Sequence, residues 1–141
     1  MKPSTPPALL FETHQHNPNQ ALGLWGETIA RHFLERKGFR VIDARFRVHH
    51  QGEIDLIAYD QQDLVFVEVK TRRVPHLQTA YEALTPPKKK ALRASIDQFL
   101  AEHATPYDGL RVDWVIVTHH AADSSEGDYA TLDHVVGVDL Y

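Results

Sequence analysis

The sequence predicts an α/β protein with a central mixed β-sheet flanked by helices. Residues 39–48 are rich in β-branched and aromatic side chains, and residues 52–73 form two strand-like segments joined by a short polar turn. Residues 21–37 and 87–103 instead repeat apolar side chains every three or four positions, as amphipathic helices do. Residues 110–118 form a nearly continuous apolar run, which is typical of a buried strand.

The amino-terminal part predicts an arm followed by one domain. Residues 1–20 contain four prolines among polar residues and show no helix or strand period, so we predict a flexible arm there and a single domain at 21–141. The helix that opens the domain places its apolar side chains on one face, namely Leu22, Trp25, Ile29 and Phe33. Gly38 is expected to end this helix, after basic residues that suit the negative end of its dipole. We predict that Trp25 is a core residue, and a base-stacking role is the alternative.

A β-hairpin is predicted between Gly52 and Arg73, with a short polar turn at 61–63 joining its strands. In the second strand, alternation places Val65, Val67 and Val69 on one face and Leu64, Phe66, Glu68 and Lys70 on the other. In the first strand we expect Ile54 and Leu56 on one face and Glu53, Asp55 and Ile57 on the other. Pairing of the strands would then place Asp55 beside Glu68 and Lys70.

Two carboxylates held this close repel each other, and a half-buried charge loses hydration. The arrangement therefore costs stability unless a positive charge, such as a divalent cation, compensates it. Asp55 and Glu68 supply hard oxygen ligands of the kind that suit Mg²⁺ or Mn²⁺. Lys70 could then orient or help deprotonate a water on the metal, or neutralise charge on a phosphate in the transition state. The alternative is a solvated strand face that carries an ordinary Glu-Lys pair.

The second half of the chain predicts a helix and two strands. Prolines are tolerated only in or before a first helical turn, so the second helix should start close to Pro87. Lys88 follows directly and becomes a candidate phosphate contact if the helix begins near the Glu68 strand. The buried strand contains Asp113, which we interpret as a structural partner of Arg111 or of a backbone group; a metal role is the alternative. A last strand is predicted at 134–140, after a polar loop.

Charge is distributed unevenly along the chain. The net charge is −4, but residues 1–94 carry 14 Lys or Arg against 10 Asp or Glu, while residues 95–141 carry one basic residue against nine acids. A phosphate-binding face built from the first two-thirds of the chain is therefore compatible with the negative total. The cations that we predict for this face are Arg45, Arg47, Arg72, Arg73 and Lys88. The alternative is an asymmetric surface charge without a partner.

Other composition features narrow the class of protein. The chain has no cysteine, which excludes disulfides and thiolate metal sites. No segment approaches the roughly 20 apolar residues that cross a bilayer, and the amino terminus lacks the features of a signal peptide. We therefore expect a cytoplasmic protein without a membrane partner.

The hairpin also supports a family resemblance. The segment 52–58, Gly-Glu-Ile-Asp-Leu-Ile-Ala, with 66–72, Phe-Val-Glu-Val-Lys-Thr-Arg, and Gly26-Glu27 on the preceding helix, resembles the bacterial family UPF0102, also called YraN-like. The similarity runs from about Gly23 to Val117. That family looks like a relative of archaeal Holliday-junction resolvases with a restriction-endonuclease-like fold.

The resemblance implies a nuclease site. Asp55, Glu68 and Lys70 match the three parts of the nuclease motif, and Glu27 matches an acid that the family places on the helix. Lys88 matches a family lysine, and 111–113 resembles the family's Arg-Phe-Asp segment. Two positions depart from the pattern: Ile54 stands where the motif often has proline, and Leu77-Gln78-Thr79 replaces a glycine-containing segment. The implied catalytic set is Glu27, Asp55, Glu68 and Lys70, with the metal held by Asp55, Glu68 and Glu27.

Two functions remain open at this point. One is a metal-dependent endonuclease of the PD-(D/E)xK type that uses Mg²⁺ or Mn²⁺ on structured or branched DNA. The other is a nuclease-fold module that binds nucleic acid or a DNA-repair partner without cutting. The retained carboxylates favour the enzyme, since they repel phosphate and would hinder a pure binding module. The candidate partners are DNA and a second copy of the chain in a homodimer.

Overall fold

The computed structural model describes residues 18–48, 52–74, 84–121 and 127–140. In chain order the elements are α1 (Pro18–Arg36), β1 (Arg40–Val48), β2 (Gly52–Asp60), β3 (Asp63–Arg73), α2 (Pro86–Glu102), β4 (Gly109–His120) and β5 (Tyr129–Val135). The strands form one five-stranded sheet in the order β1-β2-β3-β4-β5. β3 and β4 are parallel, and the other neighbouring pairs are antiparallel. The predicted α/β class with a mixed sheet is confirmed, and the architecture is consistent with a nuclease-like fold.

The connections explain this topology. β2 and β3 are joined by a tight turn at Gln61 and Gln62, where Gln61 has a positive φ of 56°, so the two strands are antiparallel neighbours. Parallel strands need a longer crossover, and α2 provides it between β3 and β4. The Thr85 side chain caps α2 by accepting a hydrogen bond from the Lys88 backbone N–H, and prolines follow at the first helical positions. The helix start predicted from Pro87 is thus confirmed, one residue earlier in the chain.

Each helix covers one face of the sheet. On the α1 face, the core comprises Leu22, Trp25, Ile29, Ala30 and Leu34 of α1 with Leu56, Ala58, Val65, Val67, Val115 and Val117 of the strands. On the α2 face it comprises Leu92, Ile96 and Phe99 of α2 with Ile54, Ile57, Leu64, Phe66 and Val112. The alternation predicted for Val65, Val67, Leu64 and Phe66 is confirmed. Trp25 is buried in the core, as predicted.

The regular alternation of β2 is interrupted near Asp55. Ile54 packs with Ile57 on the α2 face, whereas Leu56 packs on the α1 face. The prediction that Ile54 and Leu56 share a face is therefore wrong. The pairing of β2 with β3 extends only from the turn to Leu56, so β2 is paired with β1 alone at the residues where its alternation fails.

The last strand was also predicted in the wrong place. β5 spans Tyr129–Val135, and residues 136–140 follow it without strand structure. Gly137 adopts a positive φ of 71°, which is incompatible with a continuing strand. The Val138 N–H then bonds to the Val112 carbonyl, so the chain continues beside β4 after the interruption at Gly137.

Some predictions lie outside the described residues. These are the arm at residues 1–17, the turn at 49–51, and most of the segment between β3 and α2, which includes the departure at 77–79. Residues 18–20 of the predicted arm are the first turn of α1. In the described part of the chain, no helix is long and apolar enough to span a membrane.

Candidate active site

Asp55 lies where β2 separates from β3. The paired residues end at Leu56 and Val67. Beyond them, Asp55 Oδ2 accepts a hydrogen bond from the Val69 N–H at 2.8 Å. The carboxylate thus takes the place that a main-chain carbonyl would hold in a continued ladder. This bond fixes the side chain of Asp55 between the two strands.

Two further carboxylates reach Asp55 from different parts of the chain. Carboxylate oxygens of Glu27 on α1, Glu53 on β2 and Asp55 all lie within 4.8 Å of one another. α1 approaches β3 closely because Gly26 has no side chain: a β-carbon there would lie under 3.0 Å from three atoms of Thr71. Gly26 therefore allows the next residue, Glu27, to reach the strands.

Glu68 is the fourth carboxylate of the site and the most deeply buried one, with 3% of its surface exposed. Its Oε2 lies 3.1 Å from Lys88 Nζ. Its Oε1 is buried and has no hydrogen-bond partner among the residues that the structure describes. Burial raises the pKa of Glu68, although Lys88 and the backbone N–H of Asp55 act in the opposite direction. A buried carboxylate oxygen without a donor is destabilising, so this atom is suited to a cation.

Burial and neighbouring charges also raise the pKa of Asp55, to about 8. Burial is the largest cause, and repulsion from Glu68 and then from Glu27 adds to it. The Val69 N–H and the Lys88 ammonium lower the pKa by smaller amounts. At neutral pH the Asp55 carboxyl therefore holds a proton while no metal is bound. A divalent cation at these carboxylates would favour the ionised form and release that proton.

The donor set fits a hard divalent cation. Every candidate ligand is a carboxylate oxygen, which suits Mg²⁺ or Mn²⁺ better than softer metals. The buried Oε1 of Glu68 has no hydrogen-bond partner among the described residues, and burial, followed by repulsion from Glu68, raises the pKa of Asp55, so a bound cation would compensate both acids. The structure thus brings together three of the predicted catalytic residues, Glu27, Asp55 and Glu68, and adds Glu53.

The site lies within a segment shared with other proteins. The model of the "Uncharacterised protein family UPF0102" matches residues 26–117, which include all four carboxylates. The chain belongs to this family.

Curated relatives extend the match beyond the hairpin. A UPF0102 protein of Renibacterium salmoninarum is 37% identical over 117 residues, which are 83% of this chain and 94% of the relative. Another, from Roseiflexus castenholzii, is 47% identical over 85 residues, which are 60% of this chain and 68% of the relative. Among solved structures, Pyrococcus furiosus SfsA in complex with Ca²⁺ has a TM-score of 0.35 and 14% identity, with 86% of this chain and 65% of that chain covered. A likeness at this level carries no information about function.

Three of the predicted nucleic-acid cations are paired with acids of the site in this UPF0102 chain. Arg45 Nε lies 2.9 Å from Glu27 Oε2, and Arg47 Nε lies 3.3 Å from Glu53 Oε2. Lys88 forms the third pair, with Glu68. Burial alone would lower the pKa of Lys88, but Glu68 raises it, with smaller contributions from Asp55 and Glu53. These cations therefore neutralise the carboxylates in the absence of metal.

The other two predicted cations lie further along the sheet. Arg72 donates from Nε to the Thr118 hydroxyl at 2.9 Å and lies 3.8 Å from Asp133. Arg73 is exposed at the end of β3 and forms no ion pair with the described residues. Both lie at the carboxyl end of β3, the central strand, beyond Glu68 and Lys70. A nucleic-acid backbone that contacted them would pass over this end of the strand.

Lys70 was predicted to lie beside Asp55 and Glu68, and that contact stays a prediction. It lines a groove of about 370 Å³ together with Leu22, Gly23, Glu27, Val69 and Thr71. Lys70 forms no ion pair with the described residues, whereas Lys88 contacts Glu68 directly. Two lysines therefore flank the carboxylates, Lys88 at Glu68 and Lys70 in the groove at Glu27.

Asp113 has the structural role that the sequence predicted. It is fully buried and accepts hydrogen bonds from Arg111, His134 and the Gly137 backbone N–H. Burial would raise the pKa of Asp113, but these donors more than offset it and lower the pKa. Hydrogen bonds to Asp113 and then to Asp60 raise the pKa of Arg111. The network ties β4 to β2 and to the segment after β5, away from the candidate metal ligands.

Glu53 is the site residue to which sequence reasoning gave no role. The Glu-Ile-Asp spacing was a usable signal, since residues i and i+2 of a strand share a face. The proximity of Glu27 depends on the packing of α1 through Gly26, which a single sequence does not reveal. Membership in UPF0102 identifies the segment but assigns no reaction to it.

Proposed function

We propose that this protein is a metal-dependent endonuclease that hydrolyses phosphodiester bonds in structured or branched DNA with Mg²⁺ or Mn²⁺. The observation that supports it best is the buried, unpartnered Oε1 of Glu68 beside the group of Glu27, Glu53 and Asp55. A protein that used this surface only for binding would gain from replacing buried acids that repel phosphate and one another.

The carboxylates have separate tasks in this proposal. Asp55 and Glu68 would hold the metal from two adjacent strands, with Glu27 of α1 and Glu53 of β2 as further oxygen donors. When bound, the metal would polarise a phosphoryl oxygen and make a coordinated water more acidic. Asp55 is held in place by the Val69 N–H and would give up its proton when a bound metal competes for the carboxylate.

The two lysines neutralise charge at different points. Lys88 compensates Glu68 and would face the phosphate from the start of α2. Lys70 lies with Glu27 in the groove of about 370 Å³, where a flanking nucleotide or phosphate would meet its ammonium group. We assign Lys88 to the electrostatic support of Glu68 in the metal-free protein and Lys70 to substrate contact.

A non-catalytic module that binds nucleic acid or a repair partner is the second candidate. The specific observation in its favour is that Glu27, Glu53 and Glu68 each have a cationic partner within the protein. Such pairs can stabilise the fold without any metal. In this case the carboxylates would hold the arginines and lysine in place for a partner.

Cleavage of defined DNA distinguishes the two candidates. Purified protein is incubated with linear, nicked, flapped and four-way DNA in Mg²⁺ or Mn²⁺, beside Asp55→Asn and Glu68→Gln. Asp108→Asn, an exposed position outside the site, controls for the substitution itself. Cleavage by the wild type and Asp108→Asn, but not by the two site variants, supports the endonuclease. Binding without cleavage of any substrate supports the module.

A further inference from the structure

Three acid-cation pairs surround the candidate metal site. They are Arg45 with Glu27, Arg47 with Glu53, and Lys88 with Glu68. The carboxylate members come from the metal site, and the cations are predicted phosphate contacts. The same charges are thus engaged with each other in the metal-free protein and would be needed separately in a complex with nucleic acid.

The acids are more buried than their partners. The side chains of Glu27 and Glu68 are 19% and 4% exposed, while those of Arg45 and Lys88 are 48% and 45% exposed. Arg47 is 82% exposed against 30% for Glu53. The carboxylates therefore stay within the site, whereas the long cationic side chains can swing out toward a phosphate backbone.

We propose that a divalent cation bound by these carboxylates releases Arg45, Arg47 and Lys88 and thereby switches on nucleic-acid binding. The inference rests on the proposed metal site and names the regulation of its partner binding. A metal that neutralises the acids removes the attraction that holds the three cations, and it also removes the repulsion between acids and phosphate. Metal and nucleic acid then bind with positive coupling, and each raises the affinity for the other.

The expected effect of metal on nucleic-acid affinity is an increase, which is unusual for a protein that contacts phosphates. Free divalent ions ordinarily weaken such binding because they compete with the protein's cations for the nucleic acid. Here we expect the metal to strengthen binding by at least about fivefold at constant ionic strength. The slope of log affinity against log salt should become steeper, by up to about 0.9 for each cation released onto duplex phosphates.

The experiment measures fluorescence anisotropy of a labelled four-way DNA with full-length protein, in EDTA and in Ca²⁺ or Mn²⁺. Ionic strength is held constant, and the DNA is checked afterwards on a denaturing gel so that binding is scored on uncut molecules. Asp55→Asn should abolish the increase with metal, since it removes a ligand and leaves the three cations in place.

Two matched variants test the release itself. Arg45→Gln removes a cation that is paired with the site, and Arg73→Gln removes one that forms no ion pair with the described residues. We expect Arg45→Gln to weaken binding in metal and to have little effect in EDTA. Arg73→Gln should weaken binding to a similar degree in both conditions.

A third variant tests the same mechanism in the opposite direction. Glu53→Gln frees Arg47 without a metal, so binding in EDTA should tighten and the remaining increase with metal should shrink. This result does not depend on Arg45→Gln being stably folded. The inference would be overturned if metal weakened the binding of DNA by the wild type. It would also be overturned if Arg45→Gln and Arg73→Gln lost equal affinity for DNA both in EDTA and in metal.

The test also separates this inference from the proposed reaction. If metal enhances DNA binding in a way that depends on Arg45, but no DNA is cleaved, the metal-dependent release of the cations is supported and the endonuclease proposal is refuted. Cleavage that requires Asp55, with binding that metal does not enhance, keeps the endonuclease and removes the switch.

Discussion

The raised pKa of Asp55 makes the stability of the metal-free protein depend on pH. Asp55 has a pKa of about 8 in the folded protein and so keeps its proton at neutral pH, whereas the unfolded chain releases the proton near the ordinary pKa of 3.8. Between these values the folded state binds more protons, so the stability present at low pH is lost as pH rises toward 8. Replacement by Asn removes this titration and keeps an oxygen that can accept the Val69 N–H.

The expected change of the unfolding free energy with pH follows from the linkage between proton binding and folding. One proton held by the folded state but not by the unfolded one lowers the unfolding free energy by about 1.4 kcal/mol for each pH unit. Relative to Asp55→Asn, the metal-free wild type should therefore lose about 3 kcal/mol between pH 5 and pH 7. The difference should level off near pH 8, where the folded protein also releases the proton.

Urea unfolding in EDTA, followed by the fluorescence of the buried Trp25 and Trp114, measures this difference at each pH. Asp108→Asn is the control and should unfold in parallel with the wild type. Saturating Mn²⁺ should restore wild-type stability at pH 8 and leave Asp55→Asn unchanged. Parallel pH profiles for the wild type and Asp55→Asn in EDTA would show that the Asp55 carboxyl is ionised in the folded state, and the reasoning would be refuted.

Calorimetric titration with Mn²⁺ at pH 7 should show binding coupled to proton release, because Asp55 must ionise; Asp55→Asn and Glu68→Gln should each abolish binding, and unchanged affinity in both would remove the site. Gly26→Ala should destabilise the fold by about 1–3 kcal/mol through overpacking against β3. Gly23→Ala, with no atom within 4 Å of its added β-carbon, should be neutral or stabilising in the same urea titration. Asp113→Ala should lower stability by about 1–3 kcal/mol, because it leaves the His134 ring nitrogen and the Gly137 N–H without their acceptor while Asp60 still pairs with Arg111, and unchanged stability would contradict that role.

The spacing of apolar residues along the chain predicted most of the helices and strands. The two helices repeat apolar residues at helical spacing, the hairpin strands are rich in β-branched and aromatic residues, and the parallel pairing follows from a helical crossover of sufficient length. The last strand was misplaced because Gly137 interrupts the apolar residues that suggested it, and its real span, Tyr129–Val135, alternates less clearly. The two-residue period also failed at Ile54, where tertiary contacts outweigh the alternation.

The candidate site was predictable in its acids and less so in its cations. The strand pattern suggested the neighbourhood of Asp55 and Glu68, whereas the approach of Glu27 depends on the packing of α1 through Gly26. The contact between Lys88 and Glu68 depends on how α2 enters after β3, and no local pattern encodes that approach. Likewise, the pairing of Arg45 with Glu27 joins residues on different elements, and Arg45 has a positive φ of 54° that periodicity does not predict.

The hydrogen bond from Val69 to Asp55 has a consequence for spectroscopy. Its acceptor is a carboxylate that changes charge with pH and with metal, whereas a strand carbonyl does not. The chemical shift and the exchange rate of this single backbone proton should follow the charge of Asp55. The amide of Val69 is therefore an intrinsic nuclear magnetic resonance reporter of the site, readable in nitrogen-labelled protein without any added probe.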